Sequence, residues 1–190
     1  MKKTIAANRV FAASFVMLCL LLSSKADAHL LDRSLSFANL VIELKTPEKI
    51  ARYMWKNFVF EEDRRQFGRE EYWQSPDEFM DTRRGDCEDF AIFANEALKR
   101  NGMTSFILNI YGSRYSHTIC VFSENGRYGA IDGSKIIRSK SSNLKDLISR
   151  IQPFWDNAAI VTPSAVSKRG SILSQFSKRV QASRHLSASS

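Results

Sequence analysis

The sequence has few cysteines, only three in 190 residues. Cys19 lies in an apolar stretch near the N-terminus, which leaves Cys87 and Cys120 in the remainder of the chain. In an oxidising compartment the default expectation for two such cysteines is a disulfide between them. The competing interpretation is a reactive thiol, and the residues around Cys87 bear on that choice.

The sequence also lacks an apolar run of comfortable membrane-spanning length, because the longest, Val10 to Leu22, is too short. Basic residues precede this run, and the small-x-small pattern Ala26-Asp27-Ala28 follows it. This order predicts a secretory signal over residues 1–28, cleaved before His29, with an uncleaved N-terminal anchor as the alternative. We therefore expect a periplasmic or secreted bacterial protein.

Acidic residues are absent from the C-terminal part of the chain after Thr162. Of the overall net charge of +8, this tail carries +5 and the signal region +3, so residues 29–162 are neutral. A neutral folded part argues against a nucleic-acid partner. We expect residues 161–190 to form a disordered basic tail, with a short amphipathic helix at an anionic membrane surface as the alternative.

A helix with a cysteine in its first turn is the central feature of the sequence. After Cys87 the apolar residues recur at helical spacing, Asp86 is suited to cap the helix, and Asn101-Gly102 is suited to end it. Backbone N–H groups at a helix start favour a thiolate, whereas the neighbouring Glu88 and Asp89 disfavour it. A nucleophilic Cys87 therefore requires a cationic group close by.

Histidine is scarce too, and His117 is the only one of the three within the predicted folded core. Alternating residues predict strands over 104–111, 116–123 and 127–132, with a hairpin turn at Glu124-Asn125-Gly126. That hairpin brings His117 close to Asp132. The sequence thus predicts a Cys87-His117-Asp132 arrangement of nucleophile, general base and orienting carboxylate. Cys120, three residues from His117, is expected on the opposite strand face, which argues against the disulfide.

Further helices are expected before and after this core. Thr46-Pro47 starts one and the capping box Ser75-Pro76-Asp77-Glu78 starts another. A last short helix is expected over 143–151, with Phe154 and Trp155 packing it down. The charged run Asp63 to Arg69 is interpreted as solvated surface.

These residues resemble the bacterial transglutaminase-like cysteine peptidases, over about residues 40–138. The resemblance rests on Tyr72-Trp73-x-x-Pro76-x-Glu78, on Gly85-Asp86-Cys87-Glu88-Asp89-Phe90-Ala91, and on the following histidine and aspartate strands. It implies an α+β fold with a papain-like transglutaminase core, in which N-terminal helices, one starting at the catalytic cysteine, pack on a small antiparallel sheet. The predicted domain spans residues 29–160.

The resemblance implies an exported thiol hydrolase acting on protein or peptide substrates in the cell envelope, in some members by releasing large surface adhesins. Transamidation by a transglutaminase and a non-catalytic binding module are the alternatives. Trp73 is a candidate oxyanion or substrate residue. No cofactor is required, but calcium is a candidate ligand at Asp86, Glu88 and Asp89, where helix capping is an equally good explanation.

Overall fold

The computed structural model describes residues 36–113, 115–163 and 174–181, with side-chain detail between 36 and 161. The predicted signal peptide and most of the basic tail lie outside the described residues. Six helices occur in the described part of the chain: α1 (Phe37–Leu40), α2 (Pro47–Asn57), α3 (Asp63–Gln66), α4 (Pro76–Thr82), α5 (Cys87–Arg100) and α6 (Leu144–Ile151). None of them is long and apolar enough to cross a membrane.

Strands form two sheets. The small one pairs β1 (Val59–Phe60) with β2 (Arg84–Gly85) in parallel. The large one has the order β6-β5-β4-β3-β7-β8, and every neighbouring pair is antiparallel. Its strands are β3 (Ser105–Gly112), β4 (Ser116–Glu124), β5 (Arg127–Asp132), β6 (Lys135–Arg138), β7 (Trp155–Pro163) and β8 (Ser174–Gln181). This mixture of helices with an antiparallel sheet confirms the predicted α+β class.

The large sheet has an apolar core on each face. Alternate residues of β3 divide between them, because side chains point to opposite faces along a strand: Ile107 belongs to one cluster and Leu108 to the other. The first cluster packs α5 on the sheet through Phe93, and the second packs α6 through Leu147. Helix α5 is therefore held rigidly against β4, the strand that carries His117.

The predicted helix starts are confirmed. Thr46 caps α2, and Ser75 and Glu78 form the capping box of α4. The predicted hairpin is also confirmed, with Asn125 and Gly126 both at positive φ (52° and 73°), as a tight two-residue turn requires.

Three features differ from expectation. Strands β6 and β7 were not predicted; β7 begins at Trp155 and continues past the predicted domain end at residue 160. The expectation that Phe154 packs against the last helix is wrong, since its side chain is 86% exposed. Within the tail, Ser174–Gln181 is a strand on the edge of the sheet, where disorder or a helix was expected. Its apolar residues do not alternate, so only main-chain pairing with β7 reveals it.

Candidate active site

Helix α5 begins with a complete capping box, which fixes the position of Cys87. The Asp86 carboxylate accepts a hydrogen bond from the Glu88 N–H (3.3 Å), and the Asp89 carboxylate accepts one from the Asp86 N–H (3.2 Å). Asp86 and Asp89 are therefore capping residues, as expected for acidic groups at the positive end of a helix dipole. Cys87 is the first residue of the helix, so its backbone N–H has no acceptor within the helix.

Gln74, which the sequence did not single out, ties the preceding loop to this helix. Its backbone N–H and its side-chain Nε2 each donate to a different oxygen of Asp89, both at 2.7 Å. The same Nε2 also donates to the Arg84 carbonyl at 2.7 Å. Gln74 is fully buried, so these bonds are shielded from competing water. No local pattern distinguishes this glutamine from an exposed loop residue.

Gly85 is required for this arrangement because no side chain fits at its position. A Cβ there would lie 2.1 Å from Oδ2 of Asp89. The backbone of β2 at Gly85 thus lies so close to the Asp89 carboxylate that no Cβ atom fits between them. This close approach agrees with the sequence interpretation that Gly85 permits a tight entry into the cysteine helix.

The hairpin brings His117 and Asp132 together. The register of β4 and β5 pairs Cys120 with Ile131, and Nε2 of His117 lies 2.7 Å from Oδ1 of Asp132. Both side chains are about one-quarter exposed, at 25% and 26%. An ionised Asp132 accepts a hydrogen bond from Nε2 and so orients the ring. The other ring nitrogen, Nδ1, takes no part in this contact.

Cys87 contacts the same strand as His117. Its sulfur lies against the backbone N–H of Thr118, the residue that follows His117, and this contact favours the thiolate. Burial nevertheless raises the pKa of Cys87 well above its ordinary value, and the Glu88 carboxylate raises it further. The thiol donates to Oε2 of Glu88 at 3.0 Å. Burial and this carboxylate thus both disfavour the thiolate, and the effect of the carboxylate was expected from the sequence.

The default disulfide does not form: Cys87 and Cys120 are both free thiols. Cys120 is fully buried in the core between the sheet and α5, where burial raises its pKa. Of the two cysteines in the described part of the chain, only Cys87 is partly exposed.

Trp73 is buried, and its indole N–H already has an acceptor. It donates to Oε2 of Glu71 at 3.2 Å. Burial in turn raises the pKa of Glu71. In this arrangement the indole N–H is therefore not available as the oxyanion donor that the sequence suggested.

The interpretation of Asp63 as part of a solvated charge run is wrong. Its side chain is only 2% exposed, it accepts a hydrogen bond from the Tyr72 N–H through Oδ2, and Oδ1 has no partner in the part of the chain that is described. Pairing of β1 with β2 places the start of α3 beside the start of α5, which buries Asp63. A charged run in sequence gives no signal of such long-range burial.

Three carboxylates meet at this point. Oxygens of Asp63, Asp86 and Asp89 all lie within 4.8 Å of one another, and Asp86, Cys87 and Glu88 form a second group with the same spacing. Burial raises the pKa of Asp63 to about 6, of Asp89 to about 7 and of Asp86 to about 9. Unlike Asp89, whose two oxygens are saturated by protein donors, Asp63 keeps one oxygen unpartnered. The set consists of hard oxygen ligands, which suit calcium.

Comparisons with known proteins relate the chain to one family. A family model described as a transglutaminase-like domain matches residues 31–158. No curated protein matches the chain. Among solved structures, calcium-bound LapG of Legionella pneumophila is 20% identical with a TM-score of 0.48, covering 79% of this chain and 80% of that one.

Two other solved structures are similar. The EGTA-treated LapG of the same organism is 21% identical with a TM-score of 0.47, covering 74% of this chain and 78% of that one. A crystal structure of a TGase is 14% identical with a TM-score of 0.40, covering 63% of this chain and 37% of that one. The family-model match spans most of the chain, including Cys87, His117 and Asp132, and the chain therefore belongs to the transglutaminase-like domain family.

Proposed function

We propose that this protein is an exported cysteine-dependent acyl-transfer enzyme, a hydrolase of peptide or amide bonds. The observation that carries the proposal is the placement of Cys87 at a helix start, against the Thr118 N–H, while the adjacent His117 binds Asp132 at 2.7 Å. In the proposed triad the nucleophile comes from α5, the base from β4 and the orienting acid from β5, and these three elements pack against one another.

The proposed reaction proceeds through a thioester. His117 takes the proton of the Cys87 thiol, and the sulfur attacks the substrate carbonyl carbon, so that a C–S bond forms and the carbonyl oxygen gains negative charge. The Cys87 backbone N–H faces that charge from the helix start and stabilises it. His117 then donates its proton to the leaving amine as the C–N bond breaks. In the second half, His117 takes a proton from water, which attacks the thioester and releases the acid and the thiol.

Asp132 acts through His117 rather than on the substrate. Its carboxylate fixes the ring by the Nε2 contact and stabilises the imidazolium that accompanies the thiolate. That positive ring is the cationic group that the acidic surroundings of Cys87 require, because Asp86 and Glu88 both raise the thiol's pKa.

We propose that the acidic cluster binds a structural calcium ion. The unpartnered, buried oxygen of Asp63 supports this, since such an atom is costly in a folded protein without a cation or a donor. Asp63, Asp86 and Glu88 would hold the ion, while Asp89 stays committed to Gln74 and Asp86. A bound cation supplies positive charge that offsets the carboxylates around the thiol.

Substrates are proposed to be proteins or peptides of the cell envelope, and the location periplasmic or secreted. Both rest on the signal-peptide pattern of residues 1–28. The neutral charge of residues 29–162 supports a partner other than nucleic acid. For residues 161–190 we propose contact with an anionic membrane surface through their net charge of +5 and not through a helix, since Ser174–Gln181 is a strand.

The test is incubation of the purified protein with envelope proteins, followed by mass spectrometry of new N-termini. Wild type should produce new N-termini that Cys87→Ala and His117→Ala do not. Supplying lysine as a competing acceptor distinguishes hydrolysis from transamidation, which would instead give isopeptide-linked lysine. Absence of any product with wild type, together with substrate binding that survives in Cys87→Ala, would overturn the enzyme and leave a binding module.

A further inference from the structure

A groove lined by aromatic residues lies beside the proposed active site, with a cavity volume of about 350 Å³. We call it the aromatic groove and define it by Trp55, Phe58, Phe60, Phe90, Asp132 and Lys135. Phe58 and Phe90 are buried and form its floor. Trp55 and Phe60 are 71% and 60% exposed and stand as open apolar walls.

The groove is fixed to the reacting groups from three directions. Phe60 pairs in register with Gly85, two residues before Cys87. Phe90 lies one helical turn after Cys87 on α5. Asp132 both lines the groove and binds His117. A peptide whose carbonyl reaches Cys87 therefore passes the groove with the residues next to its scissile bond.

The chemistry of the groove selects its occupant. The walls and the floor of the groove expose apolar aromatic surface to water, and covering this surface is favourable. A large aliphatic or aromatic side chain covers it, whereas a polar side chain does not. Lys135 is exposed at the rim and forms no salt bridge among the residues that the structure describes. Its charge complements a carboxylate on a neighbouring substrate residue.

We propose that the aromatic groove is the specificity site of the enzyme and binds a large apolar side chain adjacent to the scissile bond, in a peptide segment whose acidic residue meets Lys135. This inference rests on the proposed function, since it assigns the substrate class of the same site. The segment binds in extended form, with its apolar side chain between Trp55 and Phe60.

The test measures binding rather than turnover, so it uses Cys87→Ala as the background. The probes are two blocked peptide mixtures that each contain a fixed aspartate, one with phenylalanine and one with alanine fixed beside it. Trp55 is the exposed reporter, because Trp73 and Trp155 are buried, and its emission should shift to the blue on binding. The phenylalanine mixture should bind about tenfold more tightly than the alanine mixture.

Matched variants locate the binding, which is then followed by calorimetry. Phe60→Ala and Trp55→Ala should each weaken binding of the phenylalanine mixture about tenfold, and Lys135→Ala about threefold. Phe154→Ala is the control, because Phe154 is also a strongly exposed aromatic residue, at 86%, but lies outside the groove. Thermal melts show whether each variant is folded.

Two results would overturn the proposal: equal binding of the two mixtures, or equal loss of affinity in Phe154→Ala and in the groove variants. Failure of the proposed catalysis is recognised separately. If Cys87 is inert, wild type will produce no new N-termini from envelope proteins. Peptide binding to Cys87→Ala will still be observed in that case.

Discussion

Nε2 of His117 lies 2.7 Å from Oδ1 of Asp132, although the two residues are 15 positions apart in sequence. The hairpin between β4 and β5 creates this contact, which engages Nε2 and leaves Nδ1 as the other ring nitrogen. In Asp132→Asn the imidazolium loses its carboxylate partner, so alkylation of Cys87 at neutral pH should slow about tenfold, the equivalent of about one pKa unit.

The matched control for that charge change is Asp156→Asn, because Asp156 is exposed on β7. Its alkylation rate should equal that of wild type. Equal rates for Asp132→Asn and wild type would mean that the carboxylate does not support the base.

Glu88 is predicted to restrain the thiol in the absence of divalent cations. Its carboxylate accepts the Cys87 S–H at 3.0 Å and helps raise the pKa of Cys87. Glu88→Gln removes that negative charge, so in EDTA the variant should alkylate faster than wild type at neutral pH. Glu96→Gln, on the same helix, is the control. A slower reaction in Glu88→Gln would contradict this reading of the contact.

Gly85→Ala should destabilise the protein by about 2 kcal/mol, because the new methyl group overlaps the Asp89 carboxylate and must displace it. Urea denaturation measures the loss. Gly102→Ala is the matched control: it also places alanine at a helix boundary, at φ 77°, but meets no atom within 4 Å. It should cost only about 1 kcal/mol, from the left-handed backbone. Equal losses of unfolding free energy in the two variants would mean that Gly85 and the Asp89 carboxylate are not in close contact.

The acidic cluster predicts that the cation-free protein becomes less stable as pH rises. Burial holds the pKa of Asp63 at about 6 and of Asp86 at about 9 in the folded state, above the ordinary value of 3.8. At pH values between 3.8 and these folded-state pKa values, the two carboxyl groups are ionised in the unfolded chain but still protonated in the folded one. Stability therefore falls as pH rises through this window, and it is highest where both states are protonated.

Calcium should reverse this trend, because it binds the ionised carboxylates. The rise in Tm on adding calcium should be larger at about pH 8 than at about pH 5, by about 3 °C. Asp63→Asn should reduce the rise, whereas Asp81→Asn, an exposed control, should not. A calcium effect independent of pH and of Asp63 would place any ion elsewhere.

Local patterns predicted the parts of the site that depend on local rules. A few adjacent residues are enough to predict the helix cap at Asp86, the helix end at Gly102 and the hairpin at Asn125. These features define the helix that begins with Cys87 and the two paired strands that contain His117 and Asp132. The α+β class was implied by the family resemblance, and it agrees with the change of apolar period from helical before Gly102 to alternating after it.

The remaining features depend on pairing between distant segments, which no local pattern reports. Asp63 is buried because β1 pairs with β2 across more than twenty residues, and its own neighbours are charged. Gln74 is an ordinary loop residue until Asp89 is placed beside it. Strand β7 begins at Trp155. The apolar residues of this segment are equally compatible with a buried loop, so the sequence alone did not indicate a strand.

The most direct test of the central claim, that Cys87 is a nucleophile served by His117, is the rate of Cys87 alkylation by iodoacetamide as a function of pH. Mass spectrometry follows Cys87 and Cys120 separately, with calcium and with EDTA, in wild type and His117→Ala. Cys120 is fully buried and should stay unlabelled in the folded protein. With calcium, wild-type Cys87 should react at neutral pH, and His117→Ala should remove that reaction. Labelling only at alkaline pH, with the same profile in both proteins, would contradict the account.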